Sequence, residues 1–306
     1  MKILSIGNFG LGWDGSVCDE AHIANALEEL GHEVTRCQRE ESYDLNNITD
    51  SHFDFILIAQ WDGYEERMYD VFPKCPIVYW AFDYQEDGQE WHERLIEGAD
   101  LYLSKPFKDA KYPNWRWLCQ DFAPMFLNKM PDWHNKIEQD IDVLFTGSYV
   151  PWESGQERVK YLKAIDEKYN LQINSVTPQQ WIDAGFKNVQ GPVMDDALPA
   201  LIARAKVNFS MDHVSSPGYW SDRNAQIMAC GGLVLFKYVP GSTQVFGDGV
   251  EYFHSIEGCL DLIETWLGPL AGVSDVRAEW GRAHARANLM VDKRVKDFLT
   301  IVGEVL

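Results

Sequence analysis

Short apolar runs alternate with amphipathic segments along most of the chain. Runs bounded by turn residues are typical of strands covered on both faces, and apolar residues three and four positions apart predict helices. Strands that alternate with helices predict a parallel, doubly wound α/β sheet. The predicted strands are 2–6, 32–37, 53–58, 76–82, 100–104, 116–119, 141–145, 171–174, 207–210, 233–236 and 250–253.

This pattern lapses over residues 126–140, which are rich in turn-forming and polar residues. A chain of 306 residues is long enough for two domains. We therefore predict two Rossmann-like domains, 1–125 and 141–290, joined by a linker over 126–140. The last helix, 291–306, is expected to pack back on the first domain. Two such domains facing across a cleft make that cleft the expected ligand site.

Composition narrows the function. The chain has 27 basic and 47 acidic residues, a formal charge of −20, which argues against a general nucleic-acid or anionic-membrane coat protein but allows a local basic groove. The 6 cysteines form no CxxC pair and the 8 histidines show no ligand spacing, so we expect free thiols and no metal site. Without a signal-peptide or membrane-span pattern, we expect a cytoplasmic protein, monomer or homodimer.

Candidate chemistry in the first half lies after predicted strands, where ligands of parallel sheets bind. A glycine-rich loop over residues 7–15 includes Gly12, whose backbone could approach a ligand closely; a plain tight turn is equally compatible. Asp83 follows an apolar run that would desolvate it, which favours a general base, and Asp14 is the second candidate. The alternative for both is a helix cap or a solvated loop acid.

The segment 105–117 is basic and aromatic in an otherwise acidic chain. That composition suits a polyanionic acceptor, with rings stacking on bases. Its candidate acceptor-binding residues are Lys105, Lys108, Lys111 and Trp115. The alternative is a solvated surface loop with its tryptophans anchored in the core.

Residues 219–236 read as a loop, one helix and a buried strand. Ser221 is the predicted N-cap, Asp222 and Arg223 would lie in the first turn, and Gly231 would end the helix in a left-handed conformation. A helix start combined with Arg223 makes a diphosphate site plausible. An ordinary buried helix–strand unit with Arg223 in a structural ion pair is equally compatible with this stretch.

The second half also resembles a glycosyltransferase of the GT-B type, and is most similar to the CgeB-like, spore-maturation branch. Residues 223–232 resemble that family's R-x-x-E-x-x-A-C-G-G pattern, and three earlier segments match in the same order: 142–148, 191–199 and 205–210. The first half matches only in its generic strand–loop–helix order. Where the family has a ribose-binding Glu, this chain has Gln226.

The resemblance implies a hexosyltransferase that needs no metal or other cofactor. The second domain would bind a nucleotide sugar, a UDP-sugar being expected, and the first domain would bind the acceptor. The donor-binding residues would be Gly12, Ser148, Arg158, Ser221, Asp222, Arg223, Asn224 and Gln226, with the 221–224 amides and Arg223 holding the diphosphate.

Several alternatives stay open from sequence alone. The acceptor is a sugar, another small molecule or DNA, since phage enzymes that glycosylate hydroxymethylated bases also have two-domain GT-B folds. A nucleotide-sugar epimerase and a two-lobed binding protein without chemistry are alternatives of other classes.

Overall fold

The computed structural model describes residues 1–10, 17–38, 52–59, 74–85, 88–119, 122–125, 127 and 137–306. It divides into two compact units. Unit 1 comprises Met1–Gln120 and Val291–Leu306, and unit 2 comprises Asp121–Met290. Each unit contains a parallel sheet with helices connecting its strands, so the predicted α/β class with two Rossmann-like halves is confirmed.

Unit 1 is built on a sheet with the strand order β2-β1-β3-β4-β5-β6, in which every neighbouring pair is parallel. The strands are β1 Lys2–Gly7, β2 Glu33–Gln38, β3 Phe55–Ala59, β4 Ile77–Trp80, β5 Leu101–Ser104 and β6 Trp115–Trp117. The helices are α1 Asp19–Glu29, α2 Glu90–Gly98 and, from the end of the chain, α10 Val291–Val305. Strands β3 and β4 are buried throughout, as their unbroken apolar sequences require.

Helix α10 packs on unit 1 through aromatic contacts. Phe298 stacks on Trp80 of β4 with ring centroids 5.2 Å apart and meets Phe55 of β3 edge-on at 5.9 Å. All three side chains are almost completely buried. Rings of this size bury a large apolar area and favour these offset and edge geometries, so the contact stabilises α10 on unit 1.

Unit 2 has the strand order β12-β11-β10-β7-β8-β9, again parallel throughout. The strands are β7 Ile141–Thr146, β8 Leu171–Asn174, β9 Val189–Gln190, β10 Ala205–Ser210, β11 Val234–Lys237 and β12 Glu251–Phe253. The helices are α3 Glu153–Asp166, α4 Pro178–Asp183, α5 Leu198–Ala203, α6 Arg223–Ala229, α7 Ser242–Phe246, α8 Ile256–Leu267 and α9 Ser274–Asn288. Strand β9 has only two residues, too few to carry a periodic signal, and it is not among the strands predicted from the sequence.

The strand order of unit 2 creates a crevice at one place. From β7 the chain moves to β8 and β9 on one side, then crosses to β10 and continues to β11 and β12 on the other. The loops that leave β7 and β10 therefore diverge although the strands are adjacent. In open α/β sheets this switch point, at the carboxyl ends of the strands, is where ligands bind.

The segment 219–236 folds largely as predicted. Gly231 follows α6 with φ +80°, and Gly232 donates its N–H to the Ile227 carbonyl at 2.9 Å. A Cβ on Gly232 would lie 2.6 Å from side-chain carbons of Ile202 and Ile227, so the close packing of α6 on the sheet requires glycine there. Strand β11 follows, and its apolar residues are buried.

The 6 cysteines are all free thiols. No helix among the described residues combines the length and apolar character needed to cross a membrane.

Candidate functional site

Arg158 ties together the two loops that diverge at the unit 2 switch point. It lies on α3, and its Nη2 donates to the Ser148 carbonyl, after β7, at 2.6 Å. Its Nη1 donates to the Met211 carbonyl, after β10, at 3.4 Å. The guanidinium also lies over the rings of Phe145 and Trp181, 5.2 and 5.9 Å from their centroids. Arg158 thus fixes the floor of the crevice.

Arg158 is only 3% exposed. Burial first, and then the nearby charge of Arg223, lower the pKa of Arg158 to about 9, while Asp212 opposes the shift. A guanidinium remains protonated near neutral pH, so the direction of this shift reports first the cost of burying a cation and second the cost of placing it beside Arg223. Predicted as a donor-binding residue, Arg158 is placed to position the loops.

Arg223, the first residue of α6, reaches across to the end of β7. Its Nε donates to the Thr146 carbonyl at 2.8 Å, and its Nη1 donates to Asp212 Oδ1 at 3.3 Å. Its guanidinium lies 5.4 Å from the centre of the Phe145 ring, which Arg158 also contacts. Nη2 makes no hydrogen bond within the described part of the chain, and 17% of the side chain is exposed. Arg223 therefore retains donors that an anion could accept.

Asp212 is a site residue that the sequence analysis missed. It follows β10, its side chain is 6% exposed, and it accepts hydrogen bonds from Arg223 and from the Ser221 backbone N–H at 3.1 Å. It therefore fixes both the guanidinium and the loop that leads into α6. The signal that could have found it resembles the one applied to Asp83, because Asp212 lies two residues after the end of a predicted strand.

Gly147 leaves the space beside Arg223 open. A Cβ at this position would lie 2.8 Å from Phe145 Cζ and 3.2 Å from Arg223 Nη2. Its carbonyl accepts a hydrogen bond from Trp181 Nε1 at 3.1 Å. Carbonyls of residues 146, 147 and 148 are thus held in turn by Arg223, Trp181 and Arg158, which makes this turn rigid.

The prediction that Ser221 caps α6 is wrong. Asp222 occupies the N-cap position in a helical conformation, and no side chain caps the helix start. The Ser221 hydroxyl is buried without a hydrogen-bond partner among the described residues. Asp222 instead accepts a hydrogen bond from Gln226 Nε2, one turn later. Because α6 is short and begins with a carboxylate, positive charge at this site comes from Arg223 rather than from the helix start.

Asn224 and Ser148 complete the predicted donor residues in unit 2. The Asn224 side chain is fully buried, and neither of its amide atoms has a partner in the part of the chain that the structure describes. Ser148 is half-buried and contributes its carbonyl to Arg158. The structure thus brings Ser148, Arg158 and Arg223 together at the switch point.

The candidates in unit 1 differ from expectation. Asp83 follows β4 as predicted, but its side chain is exposed, so the expected desolvation by the preceding apolar run is wrong: Ala81 and Phe82 are buried, and the chain turns outward after them. Gly12 and Asp14 lie outside the described residues.

The basic residues of the segment 105–117 are not one surface. Lys105 is fully buried, which corrects its prediction as an acceptor-facing cation. Lys108 is half-buried, donates to the Gln85 carbonyl and lies 4.3 Å from the centre of the Tyr84 ring. Lys111 is exposed, and Trp115 packs against the core while donating to Ser104 Oγ at 2.9 Å.

A buried polar network explains why this segment faces inward. Asp109 accepts hydrogen bonds from Tyr102 and Ser104 at 2.8 and 2.6 Å. Tyr102 also contacts His92, which in turn contacts Tyr79 at 3.0 Å. A buried carboxylate needs such donors, and the network anchors the 3-10 helix Phe107–Lys111 to the sheet.

Metal ligands do not cluster in the described residues: no group of three or more His, Cys, Asp or Glu side chains is placed to hold an ion.

Residues 156–300 match the model of a protein family described as glycosyl transferase-like. This region is a glycosyltransferase domain. It begins within α3, just before Arg158, and contains Asp212, Arg223 and Gln226. The prediction of a glycosyltransferase enzyme is therefore confirmed. Comparison with curated protein sequences gives no match.

Solved glycosyltransferase structures share the fold over the whole chain. An alpha-glucosyltransferase in complex with UDP and a 13-mer DNA with a central A:G mismatch has a TM-score of 0.70 at 12% identity, covering 99% of this chain and 100% of that one. The Anabaena protein HepE in complex with UDP and glucose has a TM-score of 0.68 at 15% identity, covering 99% of both chains. Sucrose-phosphate synthase from Thermosynechococcus elongatus has a TM-score of 0.65 at 12% identity, covering 99% of this chain and 98% of that one.

At these identities the likeness shows the fold, and the predicted GT-B fold is confirmed. The assignment to the CgeB-like branch stays a prediction.

Proposed function

We propose that this glycosyltransferase transfers a hexosyl group from a UDP-sugar to an acceptor hydroxyl. The observation that carries the proposal is Arg223, a partly exposed guanidinium at the switch point of unit 2 whose Nη2 makes no hydrogen bond to any described residue. A guanidinium pairs with phosphate oxygens in a planar, two-pronged geometry. Several structural neighbours support the choice of donor, since they were solved with UDP bound, and in one case with UDP and glucose.

The chemistry follows from the charge that develops on the leaving group. When the bond between the sugar and the phosphate breaks, the diphosphate gains negative charge. Arg223 would stabilise that charge, and its position is fixed beforehand by Thr146 and Asp212. Arg158 would add positive potential near Arg223 while it holds the loops that follow β7 and β10. In this proposal the arginines supply the positive charge at the diphosphate, and no resident metal is required.

The remaining donor contacts would come from the start of α6. Of the backbone N–H groups over residues 221–224, that of Ser221 is bonded to Asp212, so those of 222–224 would meet the diphosphate beside Arg223. Gln226 lies one turn further along. An amide can accept from one ribose hydroxyl and donate to another. Gln226 would therefore bind the ribose, and its Nε2 also donates a hydrogen bond to Asp222.

We propose that the chain divides into a first domain, 1–125, a linker, 126–140, a second domain, 141–290, and a terminal helix, 291–306. The first domain would bind the acceptor. A carboxylate within hydrogen-bond reach of the acceptor hydroxyl would take up its proton if the reaction inverts the sugar. Asp83 is the first candidate because it follows β4 at the carboxyl edge of the sheet, and Asp14 is the second.

A donor screen tests the proposal. Purified protein is heated with UDP, GDP, UDP-glucose and GDP-mannose, and ligand binding to the native state should raise the unfolding temperature. We expect UDP compounds to give the largest shift and UDP-glucose to release UDP slowly. An altered sugar that remains on its nucleotide would indicate an epimerase. Binding without turnover for any acceptor would indicate a binding protein, and no shift with any nucleotide would overturn the proposal.

A second candidate places the acceptor hydroxyl on a DNA base. It is favoured by the fold shared with alpha-glucosyltransferases solved with 13-mer DNA, one of them containing an HMU base. In unit 1, Phe107, Lys111 and Arg116 are exposed and would be available to a polyanion. The net charge of −20 opposes this reading.

Salt dependence separates the two acceptors. Each phosphate contact contributes about one unit to the slope of log affinity against log salt. Transfer to hydroxymethylated DNA should therefore fall steeply as ionic strength rises, and Lys111→Ala should flatten that slope. Transfer to a neutral sugar should change little with salt.

A further inference from the structure

Helix α9 of unit 2 exposes an apolar seam along the centre of its outer face. The seam consists of Val273, directly before the helix, and Val276, Trp280, Ala283 and Ala287, at alternating spacings of three and four residues. At about 100° per residue, these positions fall within a sector of roughly 80°. Trp280 is 63% exposed and Val276 is 56% exposed, whereas a surface helix normally presents polar residues here.

The opposite face of α9 is already packed in unit 2. Ala278, Gly281 and Ala285 are buried, and a Cβ on Gly281 would lie 2.8 Å from the Gly249 carbonyl. Arg277 donates to Glu251 at 2.6 Å and fixes the start of the helix. The helix therefore cannot turn to bury the seam, which is left as a rigid ridge.

Acidic and basic residues beside the seam lie towards opposite ends of the helix. On one flank, Asp275 and Glu279 lie towards the start of the helix and Arg286 lies towards its end. Glu279 remains 57% exposed despite its 3.5 Å contact with Arg282. A second α9 running antiparallel would place its basic end beside the acidic end of the first. In a parallel two-fold pair this flank of one copy would face the other flank of its partner, so these opposite charges would not meet.

Side-chain size also differs between the two halves of the seam. The larger residues, Val276 and Trp280, lie in the first half of the seam, and the small residues, Ala283 and Ala287, lie in the second. In an antiparallel pair, Trp280 of each copy would face Ala283 of the other, and Val276 would face Ala287. Spacings of three and four are those with which two helices interdigitate.

We propose that the α9 seam binds a second copy of this chain, through an antiparallel helix pair about a two-fold axis near residues 281 and 282. Such an interface is self-complementary, as closed dimers require. The seam is only about 21 Å long at 1.5 Å per residue. It therefore buries less than the roughly 800 Å² per partner of a standard interface, so we expect a dissociation constant on the order of 10 µM. The proposal does not depend on the proposed function.

Sedimentation velocity over a concentration series spanning that constant tests the interface. The wild-type chain should shift from monomer to dimer as concentration rises, and Trp280→Glu should remain monomeric. Trp152→Glu is the matched control, because Trp152 is 67% exposed but lies outside the seam. A wild-type chain that stays monomeric throughout would overturn the proposal. So would dimerisation that survives Trp280→Glu, or that is lost equally in Trp152→Glu.

A charge swap tests the antiparallel arrangement. Glu279→Lys and Arg286→Glu should each weaken the dimer at least threefold, and the double variant should recover most of the loss. Melting curves establish that each variant is folded. If Arg286→Glu unfolds the chain, the double variant Arg286→Gln with Glu279→Gln replaces the charge swap. Dimerisation of this neutral double variant should be insensitive to salt. Failure of the swap to recover, or unchanged salt sensitivity in the neutral pair, would contradict this arrangement.

Discussion

The two units share a parallel, doubly wound sheet but treat their cationic side chains differently. In unit 2, Arg223 meets Asp212 and the Thr146 carbonyl, and its Nη2 has no hydrogen-bond partner among the residues that the structure describes. In unit 1, Lys105 is fully buried and Lys108 is bonded to the Gln85 carbonyl. Burial and the partners that each cation meets, rather than the basic composition of a segment, decide whether it remains available to a ligand.

The largest effect is expected at Arg158, the buried cation of unit 2. Arg158→Met should lower the free energy of unfolding by about 2–4 kcal/mol, because two carbonyls lose their donor inside the protein. Urea unfolding measures the change. Lys160→Met, an exposed position on the same helix, is the control and should stay within about 0.5 kcal/mol of wild type. Equal stability of the two variants would remove the positioning role of Arg158.

In unit 1, two lysines of one segment should behave oppositely. Lys105→Ala should cost about 2–3 kcal/mol, since it leaves a cavity and removes a charge from the groups that surround it. Lys111→Ala, at an exposed position, should change stability by less than about 0.5 kcal/mol. Thermal and urea unfolding of both variants check this. If Lys105→Ala left the free energy of unfolding unchanged, the buried Lys105 side chain would not stabilise unit 1.

Gly147 separates a packing effect from a binding effect in unit 2. Gly147→Ala should weaken UDP binding about tenfold, a change of about 1.4 kcal/mol, because the added carbon crowds the Phe145 ring and Arg223 Nη2. Gly247→Ala is the matched control, because Gly247 also has a positive φ but an added Cβ there meets nothing within 4 Å. Titration calorimetry gives both affinities, and equal affinities would show that the space beside Arg223 is not used.

The smallest effect concerns the departure from the family pattern at Gln226. Gln226→Glu would place a carboxylate against Asp222, one turn earlier, and should cost about 0.5 kcal/mol of stability. Asp222→Asn in the same chain should remove that cost. A double-mutant cycle by urea unfolding measures the coupling. If the changes in the free energy of unfolding are additive, repulsion from Asp222 does not explain why this chain has Gln rather than Glu at position 226.

The sequence was sufficient for the fold and for part of the candidate site. Apolar strands such as 55–59 and the glycines that end α6 carry local signals, because burial and backbone conformation restrict which residues fit. The burial of Asp83 and of Lys105 was predicted wrongly because burial depends on where the chain turns after a strand, which neighbouring residues do not determine. Asp212 was missed because its role arises from a partner eleven positions later, on another element.

Titration calorimetry with uridine and UDP, on the wild type and on Arg223→Gln, tests the central claim most directly. If Arg223 binds the diphosphate, the wild type should prefer UDP over uridine strongly, and Arg223→Gln should lose about ten- to a hundredfold of affinity for UDP, as expected for charged hydrogen bonds. The affinity of Arg223→Gln for uridine should equal that of the wild type. An equal loss for uridine and UDP, or an unchanged preference for UDP, would contradict the account.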